Sequence, residues 1–138
     1  MAHTVTARSL IESDYDKYLV KWWKDWEWEP VPRDFLPENG IGGVIIEVDD
    51  KPVCAGFMYT TNSSVAWVDW IISSKDETPK GVRQVAIKML ITQLTEGAKL
   101  SGAKYIYALI KHKGLADKYK DLGFIEGDSY NSEMIKVL

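Results

Sequence analysis

The segment VAWVDWIISSKDETPKGVRQ (65–84) decides the fold because it joins a predicted strand to the longest predicted helix. Its first nine residues alternate between two faces, as a strand does. From about Gly81 to about Leu100, apolar residues recur at the spacing of an amphipathic helix. A later apolar run, AKYIYALI (103–110), returns to the sheet. Such a crossover makes its two strands parallel and adjacent.

Shorter patterns predict the elements that precede this unit. HTVTARS (3–9) alternates and predicts a first strand. Ser13, with Asp16 three residues on, is the predicted N-cap of a helix that must end before Pro30. One apolar stripe is predicted on this helix, formed by Tyr15, Tyr18, Leu19, Trp22, Trp23 and Trp26.

Three further strands and a short helix complete the predicted order. IGGVIIEV (41–48) and PVCAGFMYTT (52–61) form a hairpin, HKGLADKYKDL (112–122) a helix, and SEMIKVL (132–138) a terminal strand. The order is β-α-β-β-β-α-β-α-β. It predicts one α+β domain, residues 1–138, with a mixed, mostly antiparallel sheet and helices on both faces.

Composition indicates an ordinary globular domain. Of the 138 residues, 46% are apolar and 27% charged, and no apolar run reaches the length of a membrane span. Cys54 is the single cysteine, and the start of the chain lacks the pattern of a secretory signal, so a reducing cytoplasm is the expected setting. The two distant histidines and one cysteine predict no metal site.

The charge is unevenly distributed along the chain. The net charge is −3, with −7 on residues 1–79 and +4 on residues 80–138. A moderately basic second half suits a small anionic ligand better than a long nucleic acid, which favours a larger positive excess. Nucleic acid is therefore not the expected partner, although the second half leaves it open.

The element order resembles that of the GNAT superfamily of acyl-CoA N-acyltransferases over nearly the whole chain. The sharpest local match is Tyr119-Lys120-Asp121-Leu122-Gly123-Phe124, which resembles the Tyr-x-x-x-Gly-Phe ending of the family's fourth helix. The proline-rich segment after the first helix and the glycine-poor loop resemble divergent members encoded by bacteriophages. The resemblance implies acetyl-CoA as cofactor and an amine, small or macromolecular, as acceptor.

In that family the cofactor lies between two parallel strands, and its pyrophosphate binds the start of the long helix. The usual Gln/Arg-x-x-Gly-x-Gly/Ala motif is essentially absent here, since only Ala86 matches it. A helix start still offers unpaired N–H groups to a polyanion. The predicted cofactor-binding residues are Ile71, Ile72, Ser73, Lys80, Gly81, Val82, Arg83 and Gln84. The structural alternative is a capped helix, with Thr78 as N-cap and Pro79 in the first helical position.

The resemblance also implies a general acid. Tyr119 resembles the family tyrosine that protonates the coenzyme A sulfur, and its alternative role is packing. For the base we expect Asp69, because burial between Trp67 and Trp70 would raise its pKa. Glu47 is the alternative base. Asp69 could equally anchor an indole N–H, and His112 is expected to be a surface residue.

The stretch WWKDWEWEP (22–30) holds four of the six tryptophans. In the family this region forms the acceptor wall, which here is aromatic and acidic and would suit a cationic or planar acceptor. The predicted acceptor-binding residues are Trp26, Trp28, Asp34 and Glu47. Core packing is the alternative account for the tryptophans.

Three functions follow from these patterns. The first is an acetyl-CoA-dependent N-acetyltransferase. The second is a domain of the same fold that has lost transfer activity and serves in binding. The third is a phage enzyme that modifies a nucleobase or a host protein. The sequence leaves open whether the chain forms a homodimer.

Overall fold

A single mixed sheet is the centre of the molecule. The computed structural model describes residues 3–75 and 77–138. The strands are β1 (Val5–Ser9), β2 (Gly43–Val48), β3 (Lys51–Thr60), β4 (Val65–Ser73) and β5 (Tyr105–Tyr107). The helices are α1 (Val20–Asp25), which continues a π-helical turn at Tyr15–Leu19, α2 (Lys80–Leu100) and α3 (Lys113–Asp121). Two short 3₁₀ turns, Arg33–Phe35 and Pro37–Gly40, connect α1 to β2.

The strand order in the sheet follows the chain, β1-β2-β3-β4-β5. The first four strands are antiparallel neighbours, and β4 and β5 are parallel. The parallel pairing predicted from the crossover is therefore confirmed. Asp49 and Asp50 form the β2–β3 turn with φ of 51° and 66°, the left-handed conformation that a two-residue hairpin turn requires.

Each face of the sheet carries its own apolar core. On one face, the stripe predicted from Tyr15 to Trp26 packs on β2, β3 and β4, with Trp22 2% and Trp23 3% exposed. On the other face, α2 packs through Leu90 and Ile91, and α3 through Tyr119. The fold is thus α+β with helices on both faces, as predicted.

The predicted terminal strand at 132–138 is wrong. No strand follows α3 in the described residues, and β5 has three residues where eight were predicted. Met134 and Val137 are 90% and 91% exposed. A local apolar pattern becomes a strand only where another strand and a core surface accept it, and here it has neither.

Both predicted helix caps are also wrong. The first helical turn begins at Tyr15, and the Asp14 carboxylate accepts the Ile11 N–H at 2.8 Å, which closes a turn before the helix. α2 begins one residue later than the capped-helix alternative requires and one residue before the predicted start at Gly81, with Pro79 as N-cap and Lys80 as the first helical residue. The Thr78 hydroxyl is instead hydrogen-bonded to the Ser74 hydroxyl.

No helix in the described part of the chain is both long enough and apolar enough to cross a bilayer.

Candidate active site

The two parallel strands, β4 and β5, separate after three residue pairs, and we name the open side of β4 beyond that point the crevice. The two strands pair only at Val65–Tyr105, Ala66–Ile106 and Trp67–Tyr107. Beyond this point β4 continues to Ser73 without a neighbouring strand on its β5 side, and six residues separate its end from the start of α2. Crevices at the carboxyl ends of parallel strands are the usual ligand sites of sheets with crossover helices.

A β-bulge lies on the wall of this crevice. Between Asp69 and Ile72, β4 has one more residue than the facing stretch of β3. Trp70 has a φ of 60°, which bulky side chains rarely adopt. Gly56 of β3 faces the bulge, and a methyl group there would come within 2.5 Å of Cδ1 of Ile71. A bulge redirects side chains and backbone groups and often marks a functional position.

Asp69 precedes the bulge and is half-buried. Its carboxylate accepts the indole N–H of Trp67 at 3.1 Å and the backbone N–H of Trp70 at 2.8 Å. Burial raises its pKa above the ordinary value and outweighs the two hydrogen bonds, which lower the pKa. The carboxylate therefore does anchor an indole N–H. A raised pKa also suits proton acceptance near neutral pH.

Tyr119 lies in the core between α2, α3 and the sheet. It is 3% exposed and packs edge-on against Phe124, with ring centroids 4.8 Å apart. Burial, and to a smaller degree the charge of Asp69, raises the pKa of its hydroxyl above its ordinary value. Tyr119 thus has the packing role considered above, and its hydroxyl stays protonated at neutral pH.

The first turn of α2 presents backbone donors to solvent. Among residues 3–75 and 77–138 no side chain caps it, and the N–H groups of Lys80, Gly81 and Val82 lie in the first turn, where no intrahelical partner exists. Lys80, Gly81 and Gln84 are exposed. A Cβ atom at Gly81 would meet nothing within 4 Å, so the backbone there is open to close approach by a ligand.

Arg83 folds back over the loop that precedes α2. Its Nη1 donates to the carbonyl oxygens of Lys75 and Thr78, the latter at 3.5 Å. Its guanidinium carbon lies 5.6 Å from the ring centroid of Trp26, and the Lys75 ammonium lies 5.5 Å from the same ring. Two cationic groups therefore meet at the end of β4, with Nη1 of Arg83 engaged by the loop itself.

The loop is also tied to α1. The Trp26 indole N–H donates to the Ser73 carbonyl at 2.7 Å, and Lys21 pairs with Glu77 at 2.8 Å. Trp28 is 41% exposed, stacks on Trp26 with centroids 5.8 Å apart, and lies 5.9 Å from the His112 ring. The structure therefore brings Trp26 and Trp28 to the end of β4, with the exposed His112 beside them.

The other two predicted acceptor residues lie apart from each other. Asp34 is exposed in the 3₁₀ turn Arg33–Phe35. The Tyr59 hydroxyl connects this turn to the bulge, because it donates to the Phe35 carbonyl and accepts the Trp70 indole N–H, each at 2.7 Å. Glu47 lies on β2, two strands away from β4, and faces Arg8 at 3.5 Å. Glu47 is therefore not brought together with the other predicted site residues.

Two aromatic residues at the crevice were missed by sequence reasoning. Tyr107 of β5 packs against Trp67 with centroids 4.8 Å apart, and Tyr59 faces Trp67 from β3. The alternation of AKYIYALI placed Tyr107 on a strand, but only the register with β4 shows that it borders the crevice.

Two cavities lie away from the crevice beside β4, but the second of them borders the start of α2, where Gly81 and Val82 line it. One of about 260 Å³ lies between β3 and the C-terminal half of α2, beside Met58 and Gly97. One of about 310 Å³ lies between the first turns of α2 and the β1–β2 edge, beside Val5 and Val85. Neither contains any of the predicted catalytic residues.

Comparisons of sequence find no matching protein-family model and no matching curated protein. Solved structures do match. N-acetylglutamate synthase from Neisseria gonorrhoeae, complexed with coenzyme A and N-acetyl-glutamate, aligns with 91% of this chain at 18% identity and a TM-score of 0.69. This chain spans only 29% of the length of that synthase.

Two smaller proteins match over nearly their whole length. Glucosamine-6-phosphate N-acetyltransferase from Arabidopsis thaliana aligns over 96% of this chain and 99% of its own, at 14% identity and a TM-score of 0.65. An acetyltransferase from Trypanosoma brucei aligns over 98% and 100%, at 17% identity and a TM-score of 0.60. The chain therefore shares the α+β fold of the synthase and of these two acetyltransferases.

Proposed function

We propose that this chain is an acetyl-CoA-dependent N-acetyltransferase that acts on an amine. The observation that carries the proposal is the end of the β4–β5 pairing at Trp67–Tyr107, which leaves one side of β4 without a neighbouring strand as far as Ser73, with the first turn of α2 following after six residues. A long ligand that ends in a diphosphate would bind the open side of the strand with one part and the N–H groups of the helix start with the other. The coenzyme A in the Neisseria structure supports the same cofactor class.

The cofactor would use two sets of backbone groups. Its pantetheine arm would lie along the free side of β4 at Ile71, Ile72 and Ser73. Its diphosphate would accept from the N–H groups of Lys80, Gly81 and Val82, where the helix start contributes about half a positive charge. The side chains of Lys80, Arg83 and Gln84 would add further donors. Arg83 has five N–H donors, of which those on Nη1 are engaged by the loop, and no partner among residues 3–75 and 77–138 uses Nε or Nη2.

The transfer step needs one base and one acid. The acceptor, bound as an ammonium ion, loses a proton to Asp69, and its nitrogen then forms a bond to the thioester carbon. The carbon–sulfur bond breaks, the departing thiolate takes the proton of the Tyr119 hydroxyl, and the nitrogen loses its second proton to solvent to become a neutral amide. Tyr119 then regains a proton from solvent, and Asp69 releases one. The half-buried Asp69 and the protonated Tyr119 suit these two roles, and an N–H of the bulge region would polarise the thioester oxygen.

A binding domain without transfer activity is the second candidate function. The contact of Arg83 with the carbonyl groups of its own loop favours it, because that contact occupies part of the cationic surface a diphosphate would use.

Binding and turnover separate the two candidates. We expect coenzyme A at a hundred times its dissociation constant to stabilise the chain by about 2.7 kcal/mol in a thermal melt. We also expect free thiol to be released when acetyl-CoA is mixed with a panel of primary amines. Stabilisation without thiol release from any amine would support the binding domain. The absence of both would contradict the proposed transferase.

A further inference from the structure

Aromatic side chains gather at the mouth of the crevice, on the sheet face that α1 covers. Trp67 and Tyr107 form the last pair of the parallel ladder, and their rings are 4.8 Å apart at an angle of 58°. Tyr59 of β3 lies opposite Trp67 and therefore on the same face. Tyr107 is 41% exposed, so this aromatic group is open to solvent.

Asp69 lies on the same face, two residues beyond Trp67. Each of its carboxylate oxygens accepts one hydrogen bond, from the Trp67 indole and from the Trp70 backbone. None of the ion pairs among residues 3–75 and 77–138 includes Asp69. The charged group that acts on it is Glu133, which has the same sign.

This arrangement lacks a cation. A carboxylate has about four acceptor positions, of which two are used here. A half-buried charge without a counter-ion is costly, and a bound cation removes that cost. The faces of Trp and Tyr rings also attract ammonium groups. Asp69 and Glu133 would repel an anionic group at the same place.

We propose that the acceptor is a small primary alkylamine with no anionic group, bound as its ammonium ion against Asp69, Trp67 and Tyr107. As a statement about the acceptor, this inference rests on the proposed transferase function. It selects against amino-acid and sugar-phosphate acceptors, whose carboxylate or phosphate would lie near Asp69. It also places the nitrogen that must lose a proton directly beside the carboxylate that receives it.

The test follows the tryptophan indole N–H signals by NMR, with n-butylammonium chloride as probe and sodium butyrate as the anion of similar size. The Trp67 signal is assigned from its loss in Trp67→Phe. We expect butylammonium to shift this signal to saturation, with coenzyme A present or absent, and butyrate to leave it unchanged. Asp69→Asn keeps the shape and one acceptor oxygen but removes the charge. It should raise the dissociation constant of butylammonium at least about tenfold.

Glu96→Gln is the matched control, because it removes an exposed carboxylate that pairs with Lys99 near the end of α2. Its dissociation constant for butylammonium should equal that of the natural chain. No shift with butylammonium, an equal response to butyrate, or unchanged affinity in Asp69→Asn would each overturn the inference. Coenzyme A melts on the same samples report separately on the proposed transferase, so failure of one proposal is distinguishable from failure of the other.

Discussion

The end of β4 and the first turn of α2 form the candidate site in different ways. At the end of β4 the backbone provides the site, through a strand that leaves its parallel neighbour and a bulge centred on Trp70. At the start of α2 the open backbone is accompanied by side chains, since Arg83 already binds the loop carbonyl groups. At the end of β4 the existing contact is one hydrogen bond from the Trp26 indole to the Ser73 carbonyl, whereas at the start of α2 a ligand must compete with, or add to, the contacts of a charged side chain, Arg83.

This difference shows what can replace a glycine-rich loop. Glycines let a phosphate approach the backbone, and in the proposed site Gly81 is the glycine that would have that role. In the proposed site, Lys80 and Arg83 would add positive charge at the start of α2, where a phosphate could approach the backbone closely at one residue. We therefore expect side-chain changes to have large effects at the start of α2, and changes near β4 to affect the chemical step more than cofactor affinity.

Replacing Tyr119 tests the chemical step and should have the largest effect. Tyr119→Phe removes the hydroxyl alone, so turnover should fall about a hundredfold while the melting temperature stays close to that of the natural chain. Thiol-release kinetics and a thermal melt measure the two quantities. Tyr105→Phe is the control, because Tyr105 is 67% exposed on β5. Unchanged turnover in Tyr119→Phe would leave Tyr119 with its packing role only.

Arg83→Gln tests the start of α2. If the guanidinium contacts the diphosphate through its free donors, the dissociation constant for coenzyme A should rise about tenfold in a calorimetric titration. Lys88→Gln is the control, because it removes a cation further along α2 that pairs with Asp121 of α3. It should leave the dissociation constant for coenzyme A unchanged. Tighter binding by Arg83→Gln would mean that the arginine closes the site, and would favour the binding domain.

Gly81→Ala separates stability from ligand approach. The new methyl group meets no atom within 4 Å, and alanine is the better helix former, so the free chain should gain about 0.5–1 kcal/mol in the free energy of unfolding. The same methyl group should weaken coenzyme A binding if the diphosphate touches the backbone at this residue. Urea denaturation and calorimetry measure the two effects. A gain in stability with unchanged affinity would place the diphosphate elsewhere.

The pH dependence of stability should show the smallest effect. The folded chain raises the pKa of Asp69 above its ordinary value of 3.8, so the folded state holds this proton more tightly than the unfolded state. The contribution of Asp69 to stability should therefore fall as the pH rises from 3.8 through the raised pKa. In Asp69→Asn this loss is absent. Denaturation of both chains across this range measures their free energies of unfolding. The value for Asp69→Asn minus that for the natural chain should increase as the pH rises, and a decrease would contradict a raised pKa.

Sequence reasoning succeeded where local periodicity and chain connection determine the structure. The stripe from Tyr15 to Trp26, the span of β4, and the parallel pairing of β4 with β5 all follow from spacing and crossover rules. The bulge at Trp70 could not be predicted, because it depends on the register between β3 and β4. The apolar pattern of 132–138 matched a strand, but a pattern does not supply a neighbouring strand.

Side-chain contacts between distant elements were the least predictable part of the site. The Trp26–Ser73 bond and the return of Arg83 to its own loop depend on which rotamers the packed elements permit. Asp69 was identified because its neighbours in the sequence are tryptophans. Tyr107 was missed because its partner lies 40 residues earlier in the chain.

The central claim is that the free side of β4 and the start of α2 hold one ligand together. The most direct measurement is a titration of the ¹⁵N-labelled chain with coenzyme A, followed through its backbone amide signals. The account predicts that the signals of Ile71–Ser73 and of Lys80–Val82 shift together and saturate at the same concentration. Shifts confined to one of these segments, or to residues around the cavity beside Met58 and Gly97, would contradict it.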